Sequence, residues 1–253
     1  MTPNPRTILS VTGDDRLPFL QGLVSNDVAG ADHGLVYAAL LSPQGKYLAD
    51  FFLLAQGDAI LLDSHADLAE GLMKRLAMYK LRARVAIATS DLVMSRGLGT
   101  PPPGSHPDPR HPALGWRFYG PVALPLAVVD WDAIRVAHCI PETGVELIPD
   151  ESYILEAGLE RLHGVDFRKG CYVGQEVTAR MNHKTDLRKG LGIVSVDGPA
   201  ASGTEITAGG KPVGTIYTRS GDRAIAHLRF DRTDGPMHAG AAGIWFLHAG
   251  DDC

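Results

Sequence analysis

The chain has 253 residues, of which 45% are hydrophobic and 21% are charged. This composition is typical of a globular protein and excludes a chain that is disordered throughout. The formal net charge of −5 argues against a protein that coats nucleic acid through a global positive field, so we expect no direct nucleic-acid binding. No stretch reaches the roughly 18–20 apolar residues of a membrane span, and the start lacks a signal-peptide pattern. We therefore expect a cytoplasmic protein that does not associate with membranes; import into an organelle stays open if residues were removed.

The first 98 residues are predicted to form an α+β domain. Apolar residues alternate in its β runs and recur every three to four positions in its helices. The predicted elements are, in chain order, a strand at 6–11, a helix ending near 25–27, strands at 35–41, 47–55 and 59–63, a helix at 66–82 and a strand at 84–89. This order predicts an antiparallel sheet with both helices on one face.

A proline-rich segment divides the chain. Residues 99–112 cannot form regular structure because six of them are proline, so they are predicted to be a linker or a long surface loop. A middle α+β domain at 113–189 follows, with helices predicted at 131–139 and 152–163. Evenly spaced short strands with Gly-rich turns then predict a small β-barrel or sandwich at 190–253.

The chain has three cysteines, Cys139, Cys171 and Cys253, and no C-x-x-C pair. This number and spacing argue against a disulfide scaffold and against a Cys-rich zinc site, so we predict no permanently bound metal. Cys139 lies in an apolar run and is predicted to pack in the core, since free cysteine is among the most buried residue types. Cys253 is the terminal residue.

Cys171 has a different setting. Gly170 and Gly174 bracket it, and the backbone freedom of glycine would present the thiol on a bend. Lys169 and Arg168 precede it, and neighbouring cations favour the thiolate, the form that attacks electrophiles and binds metals. A cysteine that only packs a tight bend is the alternative.

The string KGCYVGQE at 169–176 resembles the signature K-G-C-[FY]-x-G-Q-E of the YgfZ family, whose members are folate-binding, T-protein-like proteins needed for iron–sulfur cluster maturation. Segments at 19–28, 41–50 and 131–136 are also similar to that family, so the resemblance runs with gaps from about residue 8 to 235. The signature residues are Lys169, Gly170, Cys171, Tyr172, Gly174, Gln175 and Glu176.

The resemblance implies an α+β fold in which two interleaved antiparallel-sheet domains and a small C-terminal β-barrel form a T-protein-like ring. A reduced folate, tetrahydrofolate or a derivative, would occupy its central channel. The implied function is assembly or repair of iron–sulfur clusters in client enzymes, including enzymes of tRNA modification, together with assembly factors. Cys171 would be the functional thiol, acting through thiol, persulfide or cluster-ligand chemistry. By position in matching segments, the candidate folate residues are Asn26, Asp27, Asp50 and Arg180.

Two other functions stay open. The aminomethyltransferase T-protein shares the implied fold, but it carries two adjacent acidic residues where this chain has Ala49 and Asp50, which places aminomethyl transfer in doubt. A non-catalytic folate-binding scaffold is the other alternative. Between 167 and 190, six basic side chains stand against two acidic ones, and such a patch would attract the glutamate tail of a folate. The basic residues are Arg168, Lys169, Arg180, Lys184, Arg188 and Lys189.

Overall fold

The computed structural model describes residues 5–125, 127–183 and 187–249. A five-stranded antiparallel sheet with strand order β2-β3-β4-β1-β5 forms the first part of the chain. Its elements are β1 (Arg6–Thr12), α1 (Arg16–Gln21), β2 (Val36–Leu41), β3 (Tyr47–Gln56), β4 (Ala59–His65), α2 (Ala66–Lys80) and β5 (Ala86–Thr89). The predicted element order is confirmed.

Both helices cover the same face of this sheet. Phe19 and Leu20 of α1 are buried in one apolar cluster with Leu72 and Leu76 of α2. The helical spacing of these side chains therefore predicts correctly which face of each helix is buried. Helix α2 ends two residues earlier than predicted, because Leu81 leaves the helical region with a φ of 40°.

A second, three-stranded antiparallel sheet has the order β6-β8-β7. Its strands and the two helices that follow are β6 (Val93–Gly97), β7 (His106–Pro107), β8 (Trp116–Gly120), α3 (Trp131–Ala137) and α4 (Gln175–Asn182). Helix α3 agrees with the helix predicted at 131–139, whereas α4 is absent from the sequence prediction. The prediction that the proline-rich segment forms no regular structure is wrong at β7, which pairs with β8. The segment also buries the side chains of Asp108 and Arg110, so it is packed against the interior.

The helix predicted at 152–163 is wrong, because this segment forms consecutive turns. Gly158 and His163 have φ values of 74° and 56°, in the left-handed region that interrupts a right-handed helix. Leu155, Leu159 and Leu162 are nevertheless buried. The helical spacing of these leucines reflected burial, and turns can satisfy that pattern as well as a helix.

The last part of the chain is a closed barrel with strand order β10-β11-β12-β9-β14-β13. Its strands are β9 (Lys189–Asp197), β10 (Glu205–Ala208), β11 (Lys211–Ser220), β12 (Arg223–Arg229), β13 (Met237–Ala239) and β14 (Ala242–Ala249). The predicted barrel is confirmed, although β13 is too short to stand out in the sequence.

One apolar cluster joins the three parts. It contains Tyr37 of β2, Tyr119 of β8, Leu159 of the turn segment, and Ile193 and Ile225 of the barrel. Two further clusters lie under α1 and α2 and inside the barrel. The division of the chain into domains at 98, 112 and 189 stays a prediction.

A buried ion pair also ties the barrel to the middle of the chain. The guanidinium of Arg135, on α3, donates to Glu146 at 2.9 Å and to the Thr218 hydroxyl of β11 at 2.6 Å. Glu146 in turn accepts from the Thr218 hydroxyl at 2.5 Å. Arg135 and Glu146 are both buried. Arg135 also pairs with Asp132 at 3.2 Å, whereas the charge of Glu146 is compensated by Arg135.

We expect Arg135→Ala to lower the free energy of unfolding by about 3–5 kcal/mol, because it leaves the Glu146 carboxylate buried without its cation. Urea unfolding followed by circular dichroism measures this change. Arg229→Ala is the matched control, since Arg229 pairs with Asp231 at the surface. Equal unfolding midpoints for the two variants would contradict the role of Arg135.

Candidate functional site

Cys171 lies on a loop, residues 169–174, that precedes α4 and is called the cysteine loop below. Gly170 and Gly174 have φ values of 95° and 82°, which glycine adopts without steric cost. The two glycines turn the chain on either side of Cys171, as the sequence predicted. The Cys171 side chain is a free thiol exposed to solvent.

The C-terminal end of the cysteine loop, at Gly174, packs against the turn between β2 and β3. A Cβ atom at Gly174 would lie 2.5 Å from the Ser42 carbonyl oxygen and 2.9 Å from Leu41 Cβ. Gly45 has a φ of 75°, and a Cβ there would lie 2.7 Å from the Val177 side chain of α4. Two glycines facing each other therefore allow α4 to approach the β2–β3 turn closely.

Gln175 and Tyr172 close the loop onto the first turn of α4. The Tyr172 backbone N–H donates to Gln175 Oε1 at 3.0 Å, and the Gln175 N–H donates to the Tyr172 carbonyl at 3.3 Å. The Tyr172 side chain is buried, and this burial raises the pKa of its hydroxyl above the usual value. Glu176 is exposed at the start of α4.

Lys169 fastens the near end of the loop to α1. Its ammonium donates to the carbonyls of Gln21 at 2.6 Å and Val24 at 2.5 Å. The amide of Gln21 donates back to the Lys169 carbonyl at 3.3 Å. Burial lowers the pKa of Lys169 to about 8, although the negative charges of Asp27 and Asp166 oppose the shift.

The cations that the sequence places before Cys171 thus have other partners. Lys169 is held by the end of α1, and the side chain of Arg168 is 95% exposed, 3.8 Å from Asp166. Lys169 therefore positions the loop. Cys139 is fully buried, which agrees with its predicted packing role, and Cys253 lies outside the described residues.

Asn26 and Asp27 lie at the same end of α1. The Asn26 amide donates to the carbonyls of Tyr37 at 2.8 Å and His163 at 2.7 Å, while Asp27 accepts from the Ala29 N–H at 3.1 Å. Both side chains therefore stabilise the local backbone. Asn26 also lines a surface cavity of about 460 Å³ beside the cysteine loop. The cavity is lined by Asn26, Glu160, His163, Val165, Asp166, Phe167 and Arg168.

Asp50 is buried on β3, and its carboxylate is already hydrogen-bonded to three hydroxyl groups. Tyr47 and Thr143 donate to Oδ1 at 2.6 and 2.5 Å, and Tyr37 donates to Oδ2 at 2.9 Å. Burial would raise the pKa of Asp50, but the positive charge of Arg6 and the three donors outweigh burial and hold that pKa below its ordinary value. The carboxylate is therefore ionised inside the protein.

The four predicted folate residues do not share one environment. Asn26 and Asp27 lie beside the cavity at the end of α1, Asp50 is sealed among hydroxyl groups, and Arg180 is exposed on α4. Lys184 of the basic patch lies outside the described residues.

The sequence did not reveal a chain of buried charges next to Asp50. Asp63 accepts from Arg6 at 2.6 Å and from Arg117 at 2.9 Å, and Asp108 accepts from Arg117 and from Arg110 at 2.9 Å. The guanidinium of Arg117 also lies 3.7 Å from the centre of the Phe52 ring. In β8, the sequence W-R-F-Y places Arg117 and Tyr119 on the same face of the strand. This alternation is the sequence feature that could have indicated that Arg117 is buried beside Tyr119.

Across 5–125, 127–183 and 187–249, no group of three or more His, Cys, Asp or Glu side chains is arranged to hold a metal ion. Over the same ranges, no helix is long and apolar enough to cross a membrane.

Comparison with known proteins identifies relatives of this chain. Residues 188–246 match the family described as "CAF17, C-terminal beta-barrel domain". The chain is 32% identical to the mitochondrial iron–sulfur cluster assembly factor IBA57 of Mus musculus, over 92% of this chain and 78% of that protein. It is 30% identical to the protein of the same name from Homo sapiens, over 94% of this chain and 79% of that protein.

The structure is similar to the glycine cleavage system aminomethyltransferase T from Bartonella henselae, with a TM-score of 0.77 over 98% of this chain and 84% of that one. The sequence identity is 12%, so this similarity concerns the fold alone. The predicted α+β, T-protein-like fold with a C-terminal β-barrel is thereby confirmed. The predicted cytoplasmic location is wrong, because the mouse and human relatives are named as mitochondrial proteins.

We expect Gly174→Ala to destabilise the protein more than Gly170→Ala. Both substitutions place a Cβ at positive φ, which costs about 1–2 kcal/mol, but only at Gly174 would the new atom also collide with Ser42 and Leu41. At Gly170 nothing lies within 4 Å. Overpacking should add about 1–3 kcal/mol to the cost at Gly174, measured by urea unfolding. Equal losses in the two variants would show that the close approach is not required.

Proposed function

The chain belongs to the family of the iron–sulfur cluster assembly factor IBA57, and on that premise we propose that it supports assembly of iron–sulfur clusters in other proteins through the thiol of Cys171. YgfZ, the family indicated by the signature at 169–176, is a neighbouring family, and membership in it is not confirmed.

The observation that carries the proposal is the position of Cys171. The thiol is exposed, while the loop that bears it is fastened at both ends, by Lys169 to α1 and by Gly174 to the β2–β3 turn. A cysteine with only a packing role would be expected inside the protein, as Cys139 is. A fixed and accessible thiol is suited to reaction or ligation with a group brought by another molecule.

Cluster-ligand chemistry accounts best for a single thiol. Iron–sulfur clusters are commonly held by four cysteine thiolates, whereas the described residues contain one exposed cysteine and no group of three potential metal ligands. Cys171 would therefore supply one ligand to a cluster whose other ligands come from an assembly factor or a client enzyme. The cluster would then be cargo shared between two proteins.

Binding of a reduced folate is the second part of the proposal. The fold shared with an aminomethyltransferase supports it, and the cavity of about 460 Å³ has the size of ordinary small-molecule sites. In that cavity, Arg168 offers a cation for a glutamate tail, whereas the Asn26 amide already donates to the carbonyls of Tyr37 and His163. Asp50 fits less well, because a folate would have to displace one of its three hydroxyl partners. We assign the folate no step in cluster assembly.

Aminomethyl transfer is not favoured. Ala49 replaces one of the two acidic residues expected in a T-protein, and this alanine is buried on β3. If the protein is instead a non-catalytic folate-binding scaffold, we expect the Cys171 thiol to be unreactive. Labelling of the native protein with a thiol reagent measures this reactivity.

We expect Cys171→Ala to abolish restoration of iron–sulfur enzyme activity in cells that lack the endogenous protein. The reason is that no other described thiol is exposed to take its place. Because the side chain is exposed, the variant should keep its unfolding midpoint and its affinity for tetrahydrofolate in calorimetric titration.

Cys139→Ala is the matched control and should retain activity if it folds. Full activity of Cys171→Ala would overturn the thiol role. Absence of tetrahydrofolate binding to the wild-type protein would overturn the folate part alone.

A further inference from the structure

Two apolar side chains are exposed at the end of α2, and the backbone of one of them, Leu81, is strained. Met78 is 75% exposed and Leu81 is 89% exposed, the latter with a φ of 40°. A branched residue at positive φ is a conformational outlier, and such outliers concentrate at functional sites. Residues 78–84 are called the basic tip below.

Positive charge surrounds these apolar side chains. Residues 71–90 contain five Lys or Arg side chains and no Asp or Glu, in a chain whose net charge is −5. Lys74 pairs with Glu70, and Arg84 pairs with Asp14 and Asp15. Within the part of the chain that the structure describes, the side chains of Lys80 and Arg82 make no hydrogen bond or ion pair.

The basic tip is attached to the start of α1. The Arg84 N–H donates to the Asp15 carboxylate at 2.8 Å, and the Asp15 N–H donates to the Arg84 carbonyl at 3.4 Å. The other end of α1 binds Lys169 of the cysteine loop through Gln21. Helix α1 has six residues and is therefore about 9 Å long. One ordinary protein interface, about 800 Å² on each partner, can cover both ends.

An exposed stripe of α1 connects the two ends. Leu17 and Gln21 are four residues apart and so lie on the same face of the helix. Leu17 is exposed at the end nearer the basic tip, and Gln21 contacts Lys169. The basic tip, Leu17 and the cysteine loop are thus linked through the two ends of α1, and together they present apolar side chains, the cations Lys80 and Arg82, and the Cys171 thiol.

We propose that this surface docks an acidic protein that contributes an apolar contact to Leu81 and reaches Cys171. The proposal rests on the function proposed above, whose thiol lies at one end of the surface. Charge complementarity identifies the partner as acidic, because Lys80 and Arg82 are free to pair with carboxylates. A protein fits better than an anionic membrane, because the proposed function brings an assembly factor or a client enzyme to the thiol of Cys171 at one end of this surface.

Photocrosslinking of the full chain in its host cell tests this proposal, with p-benzoylphenylalanine in place of Leu81. The control position is Trp245, which is 53% exposed on the barrel. The expected result is an adduct with one acidic protein, formed from position 81 and not from 245. Adding Arg82→Glu should lower its yield about tenfold, because charge reversal repels an acidic partner.

Cys171→Ser separates this proposal from the proposed function. It should leave the adduct unchanged while it abolishes iron–sulfur enzyme activity. An adduct together with full activity of Cys171→Ser would overturn the thiol role and leave the docking surface standing. No adduct, the same adduct from position 245, or a yield unaffected by Arg82→Glu would overturn the docking surface. Arg82-dependent pelleting with phosphatidylglycerol vesicles, without an adduct, would also overturn it in favour of a membrane.

Discussion

The ammonium of Lys169 joins two distant parts of the chain at the candidate site. It donates to the carbonyl of Gln21, the last residue of α1, and to that of Val24, which follows α1, about 145 residues away in sequence. These bonds hold the beginning of the cysteine loop, while the approach of Gly174 to the β2–β3 turn holds its end. Cys171 is therefore exposed on a loop whose two ends are held in place. Every function proposed for the thiol depends on this combination of exposure and fixed position.

The buried carboxylates of the interior are bonded to donors from other parts of the chain. Asp50, Asp63 and Asp108 are buried, and each is bonded to hydroxyl or guanidinium donors. Such groups stabilise one arrangement of the sheets, because removing a partner leaves an uncompensated buried charge. By contrast, the thiol of Cys171 and the guanidinium of Arg82 are exposed at the surface.

Sequence reasoning recovered the elements whose signal is local. The meander of β2 to β4, helix α2 and the barrel strands follow from periodicity and turn residues, and the bend around Cys171 follows from Gly170 and Gly174. The helix expected at 152–163 failed because the spacing of buried leucines does not distinguish a helix from successive turns.

Long-range partners could not be read from the sequence. Nothing near Lys169 indicates that its ammonium binds α1, and nothing near Asp50 indicates that Thr143 donates to it from 93 residues away. For the same reason, the four candidate folate residues could be placed in matching segments but not in one pocket. Such contacts depend on the tertiary fold and not on the spacing of neighbouring residues.

Hydrogen–deuterium exchange of Lys169→Met tests most directly whether Lys169 holds the thiol in place. The amides of residues 170–176 should exchange about tenfold faster than in the wild-type protein, because hydrogen bonds to a charged group contribute about 1.5–3 kcal/mol. The barrel amides should be unchanged. Lys74→Met, which removes a surface ion pair on α2, should leave residues 170–176 unaffected. Unchanged exchange of these residues in Lys169→Met would contradict the account.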